Sequence, residues 1–165
     1  MPTSVTSQIP PIMEIFMLKK PKTILDVGIG YGKYGLLIRE YLDNKIDRLD
    51  GVEIFEPYIT KIQKSIYDNI YLTDIRSFQP QVKYDMILMA DVIEHMTKEE
   101  GISLLKRLPG NKIIATPNGY TEQGESYGNI HETHLSGWTM EDFMNNFPTS
   151  QQLKYFLQLI VFIPE

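Results

Sequence analysis

With 165 residues, 42% hydrophobic and 22% charged, the chain has the composition of a soluble globular protein, and its length suits one domain, residues 1–165, around one core. Its formal charge of −5 argues against a broad nucleic-acid-binding surface, and zero cysteines exclude disulfides and thiolate metal sites and favour a cytoplasmic setting. No apolar run approaches the roughly 20 residues that span a bilayer, and no basic leader precedes an apolar segment, so neither membrane insertion nor secretion is expected.

Residues 1–10 are polar and read as a flexible arm. A short helix follows, with Pro11 in its first turn, Ile12, Ile15 and Phe16 on one face, and Lys19, Lys20 and Pro21 closing it. Residues 24–35, ILDVGIGYGKYG, then read as strand, tight turn and helix start. Asp26 ends the apolar run, and Gly28, Gly30 and Gly32 alternate at the mouth of the strand, where residues without Cβ let the backbone approach a flat ligand. Tyr34, Leu37, Ile38, Tyr41 and Leu42 recur at helical spacing and predict one buried face. Spacing separates the ligand classes that use such turns. A phosphate-cradling P-loop needs Gly where Val27 stands and Ser or Thr where Tyr34 stands, and a dinucleotide fingerprint needs Gly where Lys33 stands.

Residues 49–54 read as a second strand ending in Glu53, an acid placed to accept hydrogen bonds from two ribose hydroxyls. Pro57 suits the first turn of a helix carrying Ile59, Ile62 and Ile66, and residues 69–73 form a third strand leading to Asp74 and Ile75. Residues 84–90, YDMILMA, are apolar enough for a central strand covered on both faces, with Asp91, Glu94 and His95 at its tip. Thr97 and Glu100 make a capping box that opens a helix with Ile102, Leu105 and Leu108 inward. Residues 112–115 are the fifth strand. This alternation predicts an α/β fold, a doubly wound and mostly parallel Rossmann-like sheet with its ligands at the carboxyl ends of the strands. The long connection 119–137 carries Tyr127, Asn129, His131 and His134 and ends beside Trp138, read as a core anchor. Thr139 caps a short helix with Phe143 and Met144 buried, and residues 156–163 form an antiparallel last strand.

The pattern acid-x-Gly-x-Gly-x-Gly with acids at the successive strand tips resembles the class I S-adenosylmethionine-dependent methyltransferases, over roughly residues 24–143. The resemblance implies S-adenosylmethionine as cofactor. Gly28 and Gly30, with Gly32 completing the turn, would meet its methionine part, Asp26 would orient its amino group, Glu53 would hold the ribose, and Asp74 with the backbone of Ile75 would hold the adenine; Asp91 joins this set. The acceptor is then a small hydroxylated molecule, with nucleic acid disfavoured by the charge.

A narrower likeness bears on the acceptor side. Asp91-x-x-Glu94-His95, Thr116-Pro117-Asn118 and His131-x-x-His134 followed by Trp138-Thr139 are similar to the metal-dependent methyltransferases that modify the terminal 2′-hydroxyl of small RNAs. That likeness implies a divalent metal on Glu94, His95 and His134, with Asp91 one methylene shorter than the family's glutamate; the donor types suit Zn²⁺ or Fe²⁺ better than Mg²⁺ or Mn²⁺. Without a metal, His95, His131 and His134 are candidate general bases, or ties that hold the loop. Tyr31 and Tyr127 are candidate pocket walls, or exposed loop tyrosines. A nicotinamide-dependent reductase and a non-catalytic cofactor-binding domain share the fold and stand as alternatives. Oligomeric state is not encoded in any of these features.

Overall fold

The computed structural model describes residues 4–42, 45–153 and 158–165. In chain order the elements are α1 (Ile9–Lys19), β1 (Thr23–Val27), α2 (Lys33–Leu42), β2 (Arg48–Glu53), α3 (Lys61–Ile66), β3 (Asn69–Leu72), β4 (Met86–Ala90), α4 (Lys98–Arg107), β5 (Asn111–Pro117), α5 (Met140–Asn146), β6 (Gln151–Leu153) and β7 (Gln158–Ile163). They form one seven-stranded sheet in the order β3-β2-β1-β4-β5-β7-β6. The first five strands are parallel, β7 runs antiparallel to β5, and β6 antiparallel to β7. Strand order reverses between β1 and β4, so the chain leaves a crevice outside their carboxyl ends.

The nearly unbroken apolar sequence of β4 is explained by its position. Every residue of it is buried, because the sheet is covered on both faces. One core holds Phe16, Ile38 and Leu88, and the other holds Met89, Leu104 and Trp138. Trp138 is fully buried, stacks at 5.2 Å on Phe143, and lies where a Cβ on Gly101 would come within 2.6 Å of its ring. It anchors the end of the long loop to α4. No helix among the described residues is long and apolar enough to cross a membrane.

Several expectations are corrected. The arm predicted at 1–10 is docked from Ser4 onward: Thr6–Gln8 form a 3-10 turn, α1 starts at Ile9, and Gln8 is fully buried. The helix expected to begin at Pro57 is split, because Thr60 and Gln63 form a capping box that starts α3 four residues later, at Lys61, and leaves Ile62 exposed. Tyr41 is exposed rather than inward, since α2 packs through Tyr34, Gly35, Ile38 and Leu42, a narrower face. Met144 is exposed too, because the seven-residue α5 buries only Phe143. The last strand is antiparallel as expected over Gln158–Ile163, residues 156–157 lying outside the described residues. Its partner β6 was not predicted, being only three residues, two of them glutamine.

Candidate functional site

Where β1 ends, the chain turns through Gly28, Gly30 and Gly32 at φ +70°, +48° and +81°. At Gly28 the left-handed backbone coincides with a close approach: a Cβ there would sit 2.6 Å from Val92 Cγ2, so only glycine lets the β1 and β4 tips converge. Glu53 at the tip of β2 fastens the turn, its Oε2 accepting from Gly30 N at 2.9 Å while its Oε1 accepts from Ile54 N and Phe55 N. Gln63 of α3 donates to the carbonyl of Gly30 at 2.7 Å.

These elements line a cavity of about 700 Å³, within the size range of small-molecule sites. Asp26, Gly28, Gly30, Glu53, Asp74, Ile75 and Asp91 all border it. Gly32 does not; it is a turn residue packed toward Ile66. Asp26 is buried and accepts from Tyr67 Oη at 2.6 Å, and burial raises its pKa from 3.8 to about 7 against the effect of that bond. Burial also raises Glu53, partly offset by its backbone amides. Asp74 stands differently from expectation: Arg76 folds back onto it with both its Nε and Nη2, lowering its pKa and engaging both carboxylate oxygens.

On the opposite side of the cavity, residues 118–138 fold over the tips of β4 and β5. The backbone carbonyl of Glu94 accepts from Leu135 N and Ser136 N, which brings the neighbouring His134 to the strand tip. His134 and His95 have ring centroids 5.0 Å apart. Nδ1 of His134 faces the carbonyl of Thr121 at 2.6 Å, and Nδ1 of His95 faces that of Thr133 at 3.1 Å. A carbonyl only accepts, so each Nδ1 carries a proton, and in the neutral ring this tautomer leaves the lone pair on Nε2. Burial lowers the pKa of His95 and so favours its neutral ring.

Glu94 completes the group. One oxygen accepts from Thr116 Oγ1 at 3.0 Å, while Oε1 is buried without a partner. Burial, reinforced by the charge of Asp91, raises its pKa from 4.5 to about 8. Ligand atoms of Glu94, His95 and His134 all lie within 4.8 Å of one another. An orphaned carboxylate oxygen and two imidazole lone pairs converging at one point fit a divalent cation such as Zn²⁺ or Fe²⁺.

Asp91 and His131 stand outside this group. Asp91 has φ +55° and accepts from Gln8 Nε2 at 2.8 Å. His131 is exposed, borders the cavity on the Asp74 side, and is fixed by its backbone amide on Asn129. Among the described residues the group that could hold an ion is thus one carboxylate and two imidazoles, Glu94, His95 and His134, the set named from the narrower likeness, with Asp91 outside it. Tyr31 and Tyr127 do border the cavity.

Sequence reasoning missed three residues that shape the site. Gln8 bridges Asp91 and Gln158, Tyr67 holds Asp26, and Tyr58 donates to Glu132 Oε1 at 3.0 Å, joining the loop to the β2 side of the cavity. Thr116, named at its strand tip, holds Glu94.

No protein-family model matches the sequence, and no curated protein matches it significantly. Solved structures do resemble it. The methyltransferase domain of bacterial CtHen1 is 16% identical with a TM-score of 0.67, over 96% of this chain and 97% of that one. The plantazolicin methyltransferase BpumL, solved with S-adenosylhomocysteine (SAH), is 18% identical with a TM-score of 0.64, over 96% and 86%. PigF, also solved with SAH, is 14% identical with a TM-score of 0.68 over 96% of this chain; the match spans 56% of PigF, little more than half its length. The chain has the class I methyltransferase fold.

Proposed function

We propose that this chain is an S-adenosylmethionine-dependent methyltransferase acting on a hydroxyl of a small acceptor. The observation that carries the reading is that a single cavity joins the glycine turn and Glu53 on one side to Glu94, His95 and His134 on the other. When bound, the cofactor supplies an electrophilic methyl group on a sulfonium. The chain's part is to position and to accept a proton. Gly28 and Gly30 give a floor without side chains, and Asp26 offers a carboxylate to the amino group. Glu53, with three of its about four acceptor positions taken by backbone amides, keeps one for a ribose hydroxyl. The Nε2 lone pairs of His95 and His134 stand where a proton leaving the acceptor can be taken up.

A second reading is favoured by the unpartnered Glu94 Oε1: Glu94, His95 and His134 hold a divalent cation. Such a cation supplies Lewis acidity toward the acceptor oxygen. It would align the chain with the metal-dependent 2′-O-methyltransferases. Lys33 opens α2 at the position where a dinucleotide site needs glycine, and its Nζ donates to the carbonyl of Ser4, which disfavours the reductase. Methyl transfer from labelled S-adenosylmethionine, followed with and without chelator, tests both readings. Direct Zn²⁺ or Mn²⁺ titration of wild type and His134→Ala separates them: binding lost in the variant supports the cation, and silence in wild type leaves imidazole as the base.

A further inference from the structure

Three acids line the cavity around the covering loop, and their hydrogen-bond partners are neutral groups, although the charge of Lys33 interacts with Asp91. Asp91 accepts from the amide of Gln8, Glu132 from Tyr58 Oη and Asn129 Nδ2, and Glu94 from Thr116 Oγ1. Among the described residues lining the cavity, the lysines and arginines are Lys33 and Arg76, and both are engaged. Lys33 Nζ donates to the carbonyl of Ser4, and Arg76 is paired with Asp74 and Glu100. The sequence of the covering loop agrees: residues 118–138 contain Glu122, Glu125 and Glu132 and no lysine or arginine. Glu94, its carboxyl raised to about 8 by burial, adds little charge near neutral pH, and a cation on its group would offset even that; Asp91 and Glu132 remain.

The same lining is aromatic. Tyr31, Tyr58 and Tyr127 border the cavity, Tyr31 lies 5.6 Å from the ring of Tyr58, and Tyr127 is 63% exposed. Large apolar side chains left exposed around a mouth mark a surface that a ligand covers. A polyphosphate chain needs the opposite furniture, cations and free amides on its phosphates.

We propose that the acceptor is a small aromatic hydroxyl compound, a phenol bearing no negative charge, and that the acidic aromatic rim excludes polyanionic acceptors such as an RNA terminus. The proposal rests on the methyltransferase reading above. In the step, the phenolic oxygen bonds to the methyl carbon as the carbon–sulfur bond breaks. Sulfur keeps that electron pair and becomes the neutral thioether of SAH, and the phenolic proton passes to solvent by way of an imidazole.

The test uses the full chain. Calorimetry with SAH comes first, since no SAH binding sinks the underlying methyltransferase reading and not the rim argument alone. The SAH-loaded chain and labelled-methyl assays then compare tyramine, 4-hydroxyphenethyl alcohol, 4-hydroxyphenylacetate and a short RNA with a free 3′ end. The cationic and neutral phenols are expected to bind and be methylated, the carboxylate about tenfold less efficiently through KM, the scale of one charge at this range. RNA is expected to be inert. Glu132→Gln, which keeps an acceptor for Tyr58, should narrow the cation-to-anion preference several-fold. SAH binding accompanied by RNA methylation, by preference for the carboxylate, or by no phenol binding at all overturns the proposal.

Discussion

Replacing Asp26 by Asn tests the electrostatics of the glycine turn. The carboxyl is buried on β1 beside Glu53, with Tyr67 Oη as its hydrogen-bond donor, and its pKa rises from 3.8 to about 7 on folding. Between those values the folded state binds a proton that the unfolded state has lost, so stability falls as pH rises through the window and levels off above it. A displacement of about three pH units corresponds to about 4 kcal/mol above pH 7 and about 2 kcal/mol at pH 5. Asn cannot ionise, and its carbonyl can still accept from Tyr67. In urea denaturation the Asn variant should therefore be the more stable protein, by about 4 kcal/mol at pH 8.5 and by clearly less at pH 5. It should also bind SAH more weakly, since a neutral amide no longer attracts the ligand's ammonium group, an exchange of function for stability. A stability gap that is the same at both pH values, or that favours wild type at pH 8.5, refutes this account of Asp26.

Glu53→Ala should weaken SAH binding by about 1–3 kcal/mol in calorimetry, and lower stability as well, because the amides of Gly30, Ile54 and Phe55 lose their acceptor. Gly28→Ala combines φ +70° with a 2.6 Å approach to Val92 Cγ2, so it should cost at least about 1–2 kcal/mol of stability in denaturant titration and abolish SAH binding. Trp138→Ala should cost about 3–5 kcal/mol in thermal unfolding through the space it leaves beside Gly101 and Phe143.

Strand tips were readable in the sequence because each announces itself locally. Apolar β-formers run into Gly28, Glu53, Asp74, Glu94 or Thr116, and a parallel sheet then brings those positions to one edge. The convergence of Glu94, His95 and His134 was also legible, since a long loop can return a histidine to the tip it left. Features that depend on distant pairing were not. Gln8 meets Asp91 across 83 positions and Glu132 meets Tyr58 across 74, and no periodicity marks either. The reading of Asp74 as a free acceptor overlooked Arg76, two residues on, whose guanidinium folds back onto it. Tyr41, Ile62 and Met144 were placed inward by period alone, whereas the width of each buried face was set by what it packs against: Tyr67 beside Gly35, the capping box at Thr60, and the single anchor Phe143.

Calorimetric titration of the full chain with SAH, run beside NADH, bears most directly on the methyltransferase assignment. Saturable one-to-one binding of SAH, absent for NADH and lost in Gly28→Ala, is the predicted result. Binding of NADH in place of SAH would contradict it.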